Sequence, residues 1–193
     1  MRALIATLVL AGVGVGAACA ASDGDVVSVL DPAASRIEFS LTTRWGQVLG
    51  GTFPDAQGDV RLLPDGRRQV RLQLSTKTLD ITDHPRYTRF ARGPRFFDAE
   101  RYPEVSFLSD PYPLALLQAG GELHGRLRMH GYERRERFIL APSQCADPGR
   151  GCPIVAQGVV RRGDYGLDSW SMAMRDEVRF SLRVHFHDKP GAQ

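Results

Sequence analysis

Arg95-Phe96-Phe97-Asp98-Ala99-Glu100-Arg101-Tyr102-Pro103-Glu104-Val105-Ser106-Phe107 is the most informative segment of the chain. It contains two adjacent phenylalanines, an acidic turn, a Tyr-Pro corner and a new alternating run within thirteen residues. The segment before it, residues 83–94, is rich in arginine and aromatic residues and lacks the alternation of a strand. Most of the remaining chain does alternate. The stretch therefore predicts a β-barrel with one non-strand lid, joined to the wall by the two phenylalanines.

Alternation of polar and apolar residues along the chain is typical of strands with one buried face. In the last run, Val178, Phe180, Leu182, Val184 and Phe186 share one face, opposite to arginines and histidines. The other runs are residues 26–30, 37–41, 47–53, 60–62, 70–74, 105–107, 123–129, 138–140 and 154–161. Turn signals separate these runs, so they predict an antiparallel sandwich or a closed barrel. Closure removes exposed sheet edges, and eight strands enclose room for side chains or one small ligand.

Residues 83–94 are predicted to form a short amphipathic helix. Asp83 is placed to cap it, Pro85 suits its first turn, and Gly93-Pro94 ends it. At about 100° per residue, one face carries Tyr87, Phe90 and Ala91, and the opposite face carries Arg86, Arg89 and Arg92. Two interpretations remain open: a helix that only covers one barrel end, or part of a ligand entrance with arginines near an anionic head group.

The first twenty residues are predicted to be a secretory signal peptide. Arg2 supplies a minimal positive region, an apolar run follows, and Ala18-Cys19-Ala20 fits an A-x-A cleavage site. The run is too short and glycine-rich for a membrane span, which needs about 20 residues. Cleavage after Ala20 would give a mature domain of residues 21–193 in the periplasm. A lipoprotein anchored at Cys19 is the alternative, which Gly16 three residues earlier disfavours.

The two remaining cysteines are predicted to form a disulfide. Cleavage leaves Cys145 and Cys152, an even pair in an oxidising compartment. Their turn-rich loop holds only Asp147 as another metal-type ligand, whereas zinc needs four ligands. A disulfide is therefore favoured over a metal site.

Composition and motifs narrow the function classes. The basic pI near 9.0 comes from dispersed arginines without a basic block, which argues against nucleic acid as a partner. His185 and His187 share the strand face opposite Phe186, with no cysteine or carboxylate spaced to complete a metal site. The chain has no nucleophile elbow, zincin helix or phosphate loop. These observations favour a protein that is not an enzyme and has no metal or cofactor.

Six motifs in order then give the chain a resemblance to a known family. They are Asp31-Pro32-Ala33-Ala34-Ser35-Arg36-Ile37-Glu38-Phe39, Gly51-Thr52-Phe53 with Gly58-Asp59-Val60, Phe96-Phe97-Asp98 with Tyr102-Pro103 and Phe107, Gly125 to Gly131, Arg162-Gly163-Asp164-Tyr165-Gly166-Leu167, and Asp176-Glu177-Val178. Together they resemble the YceI-like family of periplasmic polyisoprenoid-binding proteins. The resemblance implies an extended, eight-stranded, antiparallel lipocalin-like barrel whose lumen binds an isoprenoid quinone or a polyprenyl phosphate. A homodimer is compatible with the family, although no feature of this sequence indicates one.

The chain departs from the family pattern before the double phenylalanine. Family members have an Arg-Asp-x-His group there, where this chain has Tyr87-Thr88-Arg89-Phe90, so that Phe90 replaces the histidine. The Cys145–Cys152 loop is an addition. A more apolar lid predicts that the ligand is chosen more by its tail than by its head.

These observations together predict a periplasmic carrier of an amphiphilic lipid. The ligand-binding candidates are Phe39, Leu41, Phe53, Tyr87, Phe90, Phe96, Phe97, Phe107, Leu127, Phe138, Phe180 and Leu182, with Arg89 and Arg92 for an anionic head group. Two alternatives stay open: a stress-response or interaction module whose interior is filled by its own side chains, and an enzyme acting on a lipid-like substrate.

Overall fold

The computed structural model describes residues 24–189. The strands in this part of the chain are β1 Asp25–Leu30, β2 Arg36–Thr43, β3 Val48–Thr52, β4 Ala56–Leu62, β5 Arg68–Ser75, β6 Asp80–Ile81, β7 Glu104–Ser109, β8 Gly121–Met129, β9 Tyr132–Leu140, β10 Ile154–Arg161, β11 Met174–Val184 and β12 Phe186–Asp188. The helices are α1 Pro85–Arg92, α2 Ala115–Ala119 and a 3₁₀ helix, Arg162–Tyr165. The predicted signal peptide, its cleavage site after Ala20 and Cys19 lie outside the described residues.

The strands form one antiparallel sheet that curves into a half-barrel. The hydrogen-bonded order is β12-β1-β4-β5-β7-β8-β9-β10-β11-β2-β3-β6. β11 pairs with β2, whereas β12, which follows after the single residue His185, pairs with β1. His185 therefore links the end of the strand order back to its interior. The Ser35 hydroxyl accepts a hydrogen bond from the His185 N–H (2.9 Å), and the His185 carbonyl accepts one from the Asp31 N–H (2.9 Å).

The all-β antiparallel prediction is confirmed, but the predicted number of eight strands is wrong because the sheet has twelve. Each of the ten alternating runs coincides with a strand. The additional strands arise in two ways. The last run is divided at His185 into β11 and β12, and β6 has only two residues, too few to show alternation.

Apolar residues on one face of the sheet form a single core, as the alternation predicts. Along β2, Ile37, Phe39 and Leu41 are buried, and the residues between them are half-buried. The alternating run 60–62 predicts that Val60 and Leu62 share a buried face, which is wrong for Leu62 because it is 41% exposed. Leu62 ends β4 and pairs there with Asp25 and Arg68, beyond the core.

Helix α1 spans Pro85 to Arg92 and is followed by Gly93, close to the predicted limits. The prediction that Asp83 caps it is wrong: the N-cap residue is His84, and no side chain bonds there. Asp83 instead has a positive φ of 61° in the preceding turn. Thr88 anchors the helix, because its hydroxyl donates to the Asp80 carboxylate (3.0 Å) and accepts from the Ile81 N–H (2.8 Å).

Gly125 in β8 allows a close approach between the Phe107 ring and the sheet, without a kink or a bulge. The register of β8 with β7 and with β9 is continuous through Gly125. A Cβ atom at this position would lie 2.5 Å from the Leu108 carbonyl oxygen and 2.5 Å from the Phe107 ring. Only glycine therefore lets the Phe107 ring lie against the sheet here.

Candidate ligand-binding site

Three apolar spaces follow one another inside the half-barrel. The deep cavity, of about 60 Å³, is lined by side chains of β5 and of β7 to β12, together with Tyr112 and Leu117. Tyr112 is the only one of these described side chains with a polar atom, and burial raises its pKa to about 12. Its hydroxyl is therefore neutral, and the deep cavity offers a ligand almost only apolar contact.

The middle cavity is smaller, about 20 Å³, and adjoins the deep cavity at Phe180, which lines both. Phe39, Phe53, Phe96 and Phe97 form much of its wall. These four rings therefore lie between the deep cavity and the end of the half-barrel described next.

The mouth cavity, of about 110 Å³, opens towards one end of the half-barrel and shares Phe39, Leu41, Phe96 and Phe97 with the middle cavity. Its remaining lining comes from Ile81 and from three segments, residues 43–49, 84–91 and 168–174, here called the mouth rim. The Arg44 N–H donates to the Ala173 carbonyl (2.8 Å), and the Phe90 and Trp170 rings are 5.1 Å apart. The rim segments therefore contact one another.

Aromatic rings connect the three cavities in an unbroken series. The ring-centroid distances are 5.0 Å for Phe107–Phe138, 6.4 Å for Phe138–Phe180, 6.4 Å for Phe180–Phe39, 5.2 Å for Phe39–Phe53, 6.4 Å for Phe53–Phe97, 5.4 Å for Phe97–Phe96, 6.1 Å for Phe96–Phe90 and 5.1 Å for Phe90–Trp170. Such tilted and edge-on pairs are favourable arrangements for aromatic side chains. The series runs from the buried Phe107 to Trp170, which is 53% exposed.

The structure brings the twelve apolar candidates from the sequence together along this series. Phe107, Leu127, Phe138, Phe180 and Leu182 line the deep cavity. Phe53 lines the middle cavity, and the candidates at or beside the mouth are Phe39, Leu41, Tyr87, Phe90, Phe96 and Phe97. Alternation and the double phenylalanine thus point to one continuous interior, whose role in binding stays a prediction.

The two arginine candidates are placed outside the cavities. Arg92 is half-buried, and its guanidinium donates to the carbonyls of Leu79 (2.8 Å) and Thr78 (3.2 Å). Arg89 lies exposed on α1. Neither side chain is among those that line the three cavities. A head group that meets Arg89 would therefore lie outside the mouth.

Arg162 is a residue of the site that the sequence reasoning did not select. It is 2% exposed, the only buried charged side chain in the described part of the chain, and it lines the middle cavity. Its guanidinium donates to the carbonyls of Arg175 (3.1 Å), Ser169 (2.7 Å) and Leu167. Burial lowers the pKa of Arg162, against the effect of the nearby Asp176 and Asp168 carboxylates. In the sequence, Arg162 could have been singled out because it is the first residue of the Arg162–Leu167 motif.

Arg162 positions the part of the mouth rim that contains Trp170. Its three acceptors lie on both sides of Trp170 in the chain, so one guanidinium holds both ends of this loop. Hydrogen bonds from a charged group contribute about 1.5–3 kcal/mol each when buried. The cation is therefore a structural element of the mouth.

A second buried polar contact lies beside Arg162. The Tyr165 hydroxyl, on a residue with no exposed surface, donates to the Glu136 carboxylate at 2.8 Å. Burial raises the pKa of the Glu136 carboxyl, although the hydrogen bond from Tyr165 acts in the opposite direction. Burial also raises the pKa of Tyr165, so the phenol remains the donor.

The opposite end of the half-barrel is closed by the predicted disulfide loop and α2. Cys145 and Cys152 are bonded, which confirms the pairing. The Gly149 carbonyl accepts a hydrogen bond from the Phe186 N–H (2.7 Å), and Phe186 lines the deep cavity. β10 runs from Ile154 at the deep cavity to Arg161 near the mouth rim, roughly 25 Å at the usual rise of a strand. The end opposite the mouth, which comprises residues 112–120, 142–153 and 184–188, is called the closed end.

Two further features of the described residues bear on function. Across residues 24–189, no group of three or more His, Cys, Asp or Glu side chains is arranged to hold a metal ion. Within residues 24–189, none of the three helices is long and apolar enough to cross a membrane.

Comparisons with known proteins relate both sequence and fold to one family. The model of the YceI-like domain matches residues 29–186. Among solved structures, BcnA of Burkholderia cenocepacia has a TM-score of 0.63 at 19% identity, covering 80% of this chain and 98% of that protein. A polyisoprenoid binding domain from Saccharophagus degradans, described as implicated in plant cell wall breakdown, has a TM-score of 0.63 at 14% identity, covering 86% of this chain and 100% of that domain. The YCEI protein of Campylobacter jejuni has a TM-score of 0.56 at 15% identity, covering 72% and 84%. A comparison with curated proteins finds no match.

Proposed function

Because this chain belongs to the YceI-like domain family, we propose that it is a carrier that binds the prenyl tail of an amphiphilic lipid inside the half-barrel. The carrier acts in the periplasm after removal of residues 1–20. The observation that carries the proposal is the continuous apolar interior, from the deep cavity past Phe180 to the mouth. A solved relative in Saccharophagus degradans is described as polyisoprenoid binding, which supports the same ligand class.

A prenyl tail suits this interior because it needs contact area and no polar partners. Each buried CH₂ contributes about 0.8 kcal/mol before ordering costs are subtracted. In the deep cavity only Tyr112 offers a polar atom, so the tail supplies most of the binding energy. An isoprenoid quinone and a polyprenyl phosphate share this tail, and they differ in the charge of the group left at the mouth.

Entry of the tail requires aromatic side chains to rotate. The cavities have volumes of about 60, 20 and 110 Å³, whereas pockets for drug-sized ligands usually measure roughly 300–1,000 Å³. Phe180 separates the deep cavity from the middle one, and Phe39, Phe96 and Phe97 separate the middle one from the mouth. Rotation of these rings would join the cavities into one channel.

A series of isoprenoid alcohols tests the proposal. Geraniol, farnesol and geranylgeraniol add one prenyl unit at a time and are titrated into the chain of residues 21–193 by calorimetry. Affinity is expected to rise with tail length. Ala156 lines the deep cavity, and Ala156→Leu would displace roughly two CH₂ groups of the tail, which lowers affinity for geranylgeraniol about tenfold.

Ala119→Leu, at an exposed position on α2, is the matched control and should leave affinity unchanged. Equal affinity for the three alcohols, or an equal effect of the two substitutions, would place binding outside the half-barrel and contradict the proposal.

The small cavity volumes favour a second candidate, an interaction or stress-response module whose interior is filled by its own side chains. In that case none of the alcohols binds, and none raises the melting temperature. A carrier with rotating rings shows both effects.

A further inference from the structure

The two tryptophans of the chain both lie on the mouth rim. Trp45 is 69% exposed at the tip of the β2–β3 hairpin, and Trp170 is 53% exposed in the loop before β11. Both line the mouth cavity. Tryptophan is usually well buried on average, so exposure of both at one opening needs an explanation that core packing does not give.

Other large apolar side chains are exposed on the same rim. Val48 is 64% exposed, Tyr87 47% and Met172 92%. The rim thus carries five of the ten large hydrophobic residues that are exposed in the described part of the chain. Trp45, Tyr87 and Trp170 line the mouth cavity, and Val48 and Met172 lie in the same rim segments beside it. Clustered exposed apolar side chains of this kind mark an interaction site.

Exposed arginines accompany these apolar side chains. Arg44 and Arg175 lie beside the hairpin and the Trp170 loop, and Arg86 and Arg89 lie on α1. In residues 24–189, none of these four has a carboxylate within salt-bridge distance. The nearby Asp176 and Glu177 are each paired with another arginine, Arg161 at 3.9 Å and Arg179 at 3.5 Å. The Arg44 Nε donates to the Ser171 carbonyl at 3.3 Å. Its other N–H groups and the guanidinium groups of Arg86, Arg89 and Arg175 can therefore face an external anionic surface.

We propose that the mouth rim docks on the surface of a lipid bilayer that contains anionic phospholipids. Trp45, Trp170, Tyr87 and Met172 enter the interfacial region, where tryptophan and tyrosine are enriched in membrane proteins. Arg44, Arg86, Arg89 and Arg175 meet lipid phosphates, which accept paired hydrogen bonds from guanidinium groups. The opening of the mouth cavity then faces the bilayer.

The charge pattern favours a bilayer over a protein partner. A bilayer offers phosphates at any position, so dispersed arginines around an apolar centre can all be satisfied without a fixed register. The docking explains how a tail would pass from bilayer to lumen without crossing water. That consequence rests on the proposed lipid-carrier function, whereas the docking itself can be measured on its own.

Vesicle binding tests the docking directly. The chain of residues 21–193 is mixed with vesicles of phosphatidylcholine alone, or with about one third phosphatidylglycerol, and bound protein is separated by flotation. The anionic lipid is expected to increase binding about tenfold or more, and added salt should reverse the increase. Tryptophan emission should shift to the blue, since both tryptophans of the chain are on the rim.

Two matched pairs of variants locate the surface. Trp45→Ser with Trp170→Ser should lower vesicle binding about tenfold, while Ile139→Ser with Val159→Ser, at exposed sites on β9 and β10, should not. Arg86→Gln with Arg89→Gln should remove most of the response to phosphatidylglycerol. Arg126→Gln with Arg135→Gln removes the same charge from β8 and β9 and should leave the response intact.

The outcomes separate the docking from the carrier function. Equal loss of binding in both members of a pair, or no vesicle binding while isoprenoid alcohols still bind, overturns the docking and leaves the carrier function standing. Vesicle binding through the rim in a protein that binds no isoprenoid supports the docking and overturns the carrier function.

Discussion

The mouth and the closed end of the half-barrel are held by different kinds of contact. At the closed end, the Cys145–Cys152 disulfide, α2 and the ion pairs of Arg150 with Asp147 and Asp188 tie the loop to the sheet. The Gln118 amide adds a hydrogen bond to the Ala146 carbonyl at 2.8 Å. At the mouth, exposed aromatic side chains surround an opening, and a single buried cation, Arg162, holds the loop that contains Trp170.

This contrast indicates which end of the half-barrel can open. At the closed end, the disulfide and the ion pairs of Arg150 restrain the loop of residues 142–153. At the mouth, the rim segments are joined by ring contacts such as Phe90–Trp170, which are individually weak, and by hydrogen bonds such as that of the Arg44 N–H to the Ala173 carbonyl. The disulfide lies at the other end. We therefore propose that a ligand enters at the mouth, and four variants test this contrast in order of decreasing effect.

Removal of the Arg162 guanidinium should destabilise the loop of the mouth rim that contains Trp170. Arg162→Ala leaves three carbonyls without their donor and is expected to lower the free energy of unfolding by about 4 kcal/mol. That loss corresponds to a fall of about 10 °C in melting temperature for a domain of this size. The measurement is urea unfolding followed by circular dichroism. The neighbouring exposed Arg175→Ala should change stability by less than about 0.5 kcal/mol, and equal effects of the two variants would refute a structural role for Arg162.

Loss of the disulfide should weaken the closed end and spare the mouth. Cys145→Ser with Cys152→Ser opens a loop with a sequence separation of 7 and is expected to cost about 2.5 kcal/mol. Affinity for geranylgeraniol should remain within twofold, because the mouth rim and the aromatic series are unchanged. Unfolding curves and calorimetry measure the two quantities. A loss of binding larger than the loss of stability explains would move the entrance to the closed end.

Crowding of the sheet beside the aromatic series should have a smaller effect. Gly125→Ala places a methyl group against the Leu108 carbonyl and the Phe107 ring, and overpacking of this kind costs about 1–3 kcal/mol. Gly50→Ala in β3 is the control, since an added Cβ meets no atom within 4 Å there. The Gly50 variant should be neutral or slightly more stable. Equal melting temperatures for the two variants would show that Phe107 does not require the glycine.

The smallest effect should come from Glu136, and it should depend on pH. Burial raises the pKa of the Glu136 carboxyl above its unfolded value, so the folded state binds the proton more tightly. Its contribution to stability is then largest in acid and is lost as the pH rises through the folded pKa. Glu136→Gln should remove this dependence in the weakly acidic range while keeping an acceptor for the Tyr165 hydroxyl. Melting temperatures of both proteins across that range provide the test, and parallel curves would contradict the assignment.

Much of the fold could be predicted from the sequence because alternation reports directly on burial. Residues such as Phe39, Phe107 and Phe180 were assigned to the interior on this basis, and all three are buried. Alternation does not show where one alternating run is divided into two strands. The apolar residues of β11 and β12 continue one alternating pattern across His185. The two strands nevertheless have different hydrogen-bonding partners, β2 for β11 and β1 for β12.

Residues whose role depends on distant loops could not be predicted in the same way. Arg162 resembles any surface arginine until the carbonyls of Leu167, Ser169 and Arg175 converge on it. Trp45 and Trp170 are 125 positions apart in the chain, and only the fold brings both to the lining of the mouth cavity. Asp83 fits the cap pattern, yet the turn before Pro85 gives it a positive φ and leaves His84 at the N-cap.

Analysis of the lipid that the protein carries in its own cells tests whether it is a lipid carrier. The protein is purified from those cells without detergent, weighed by native mass spectrometry and then extracted with organic solvent. We predict an added mass that extraction releases as a prenyl-tailed lipid, in an amount approaching one per chain, and that Ala156→Leu reduces. A protein that carries no lipid, and takes up none when isoprenoid alcohols are supplied, would contradict the account.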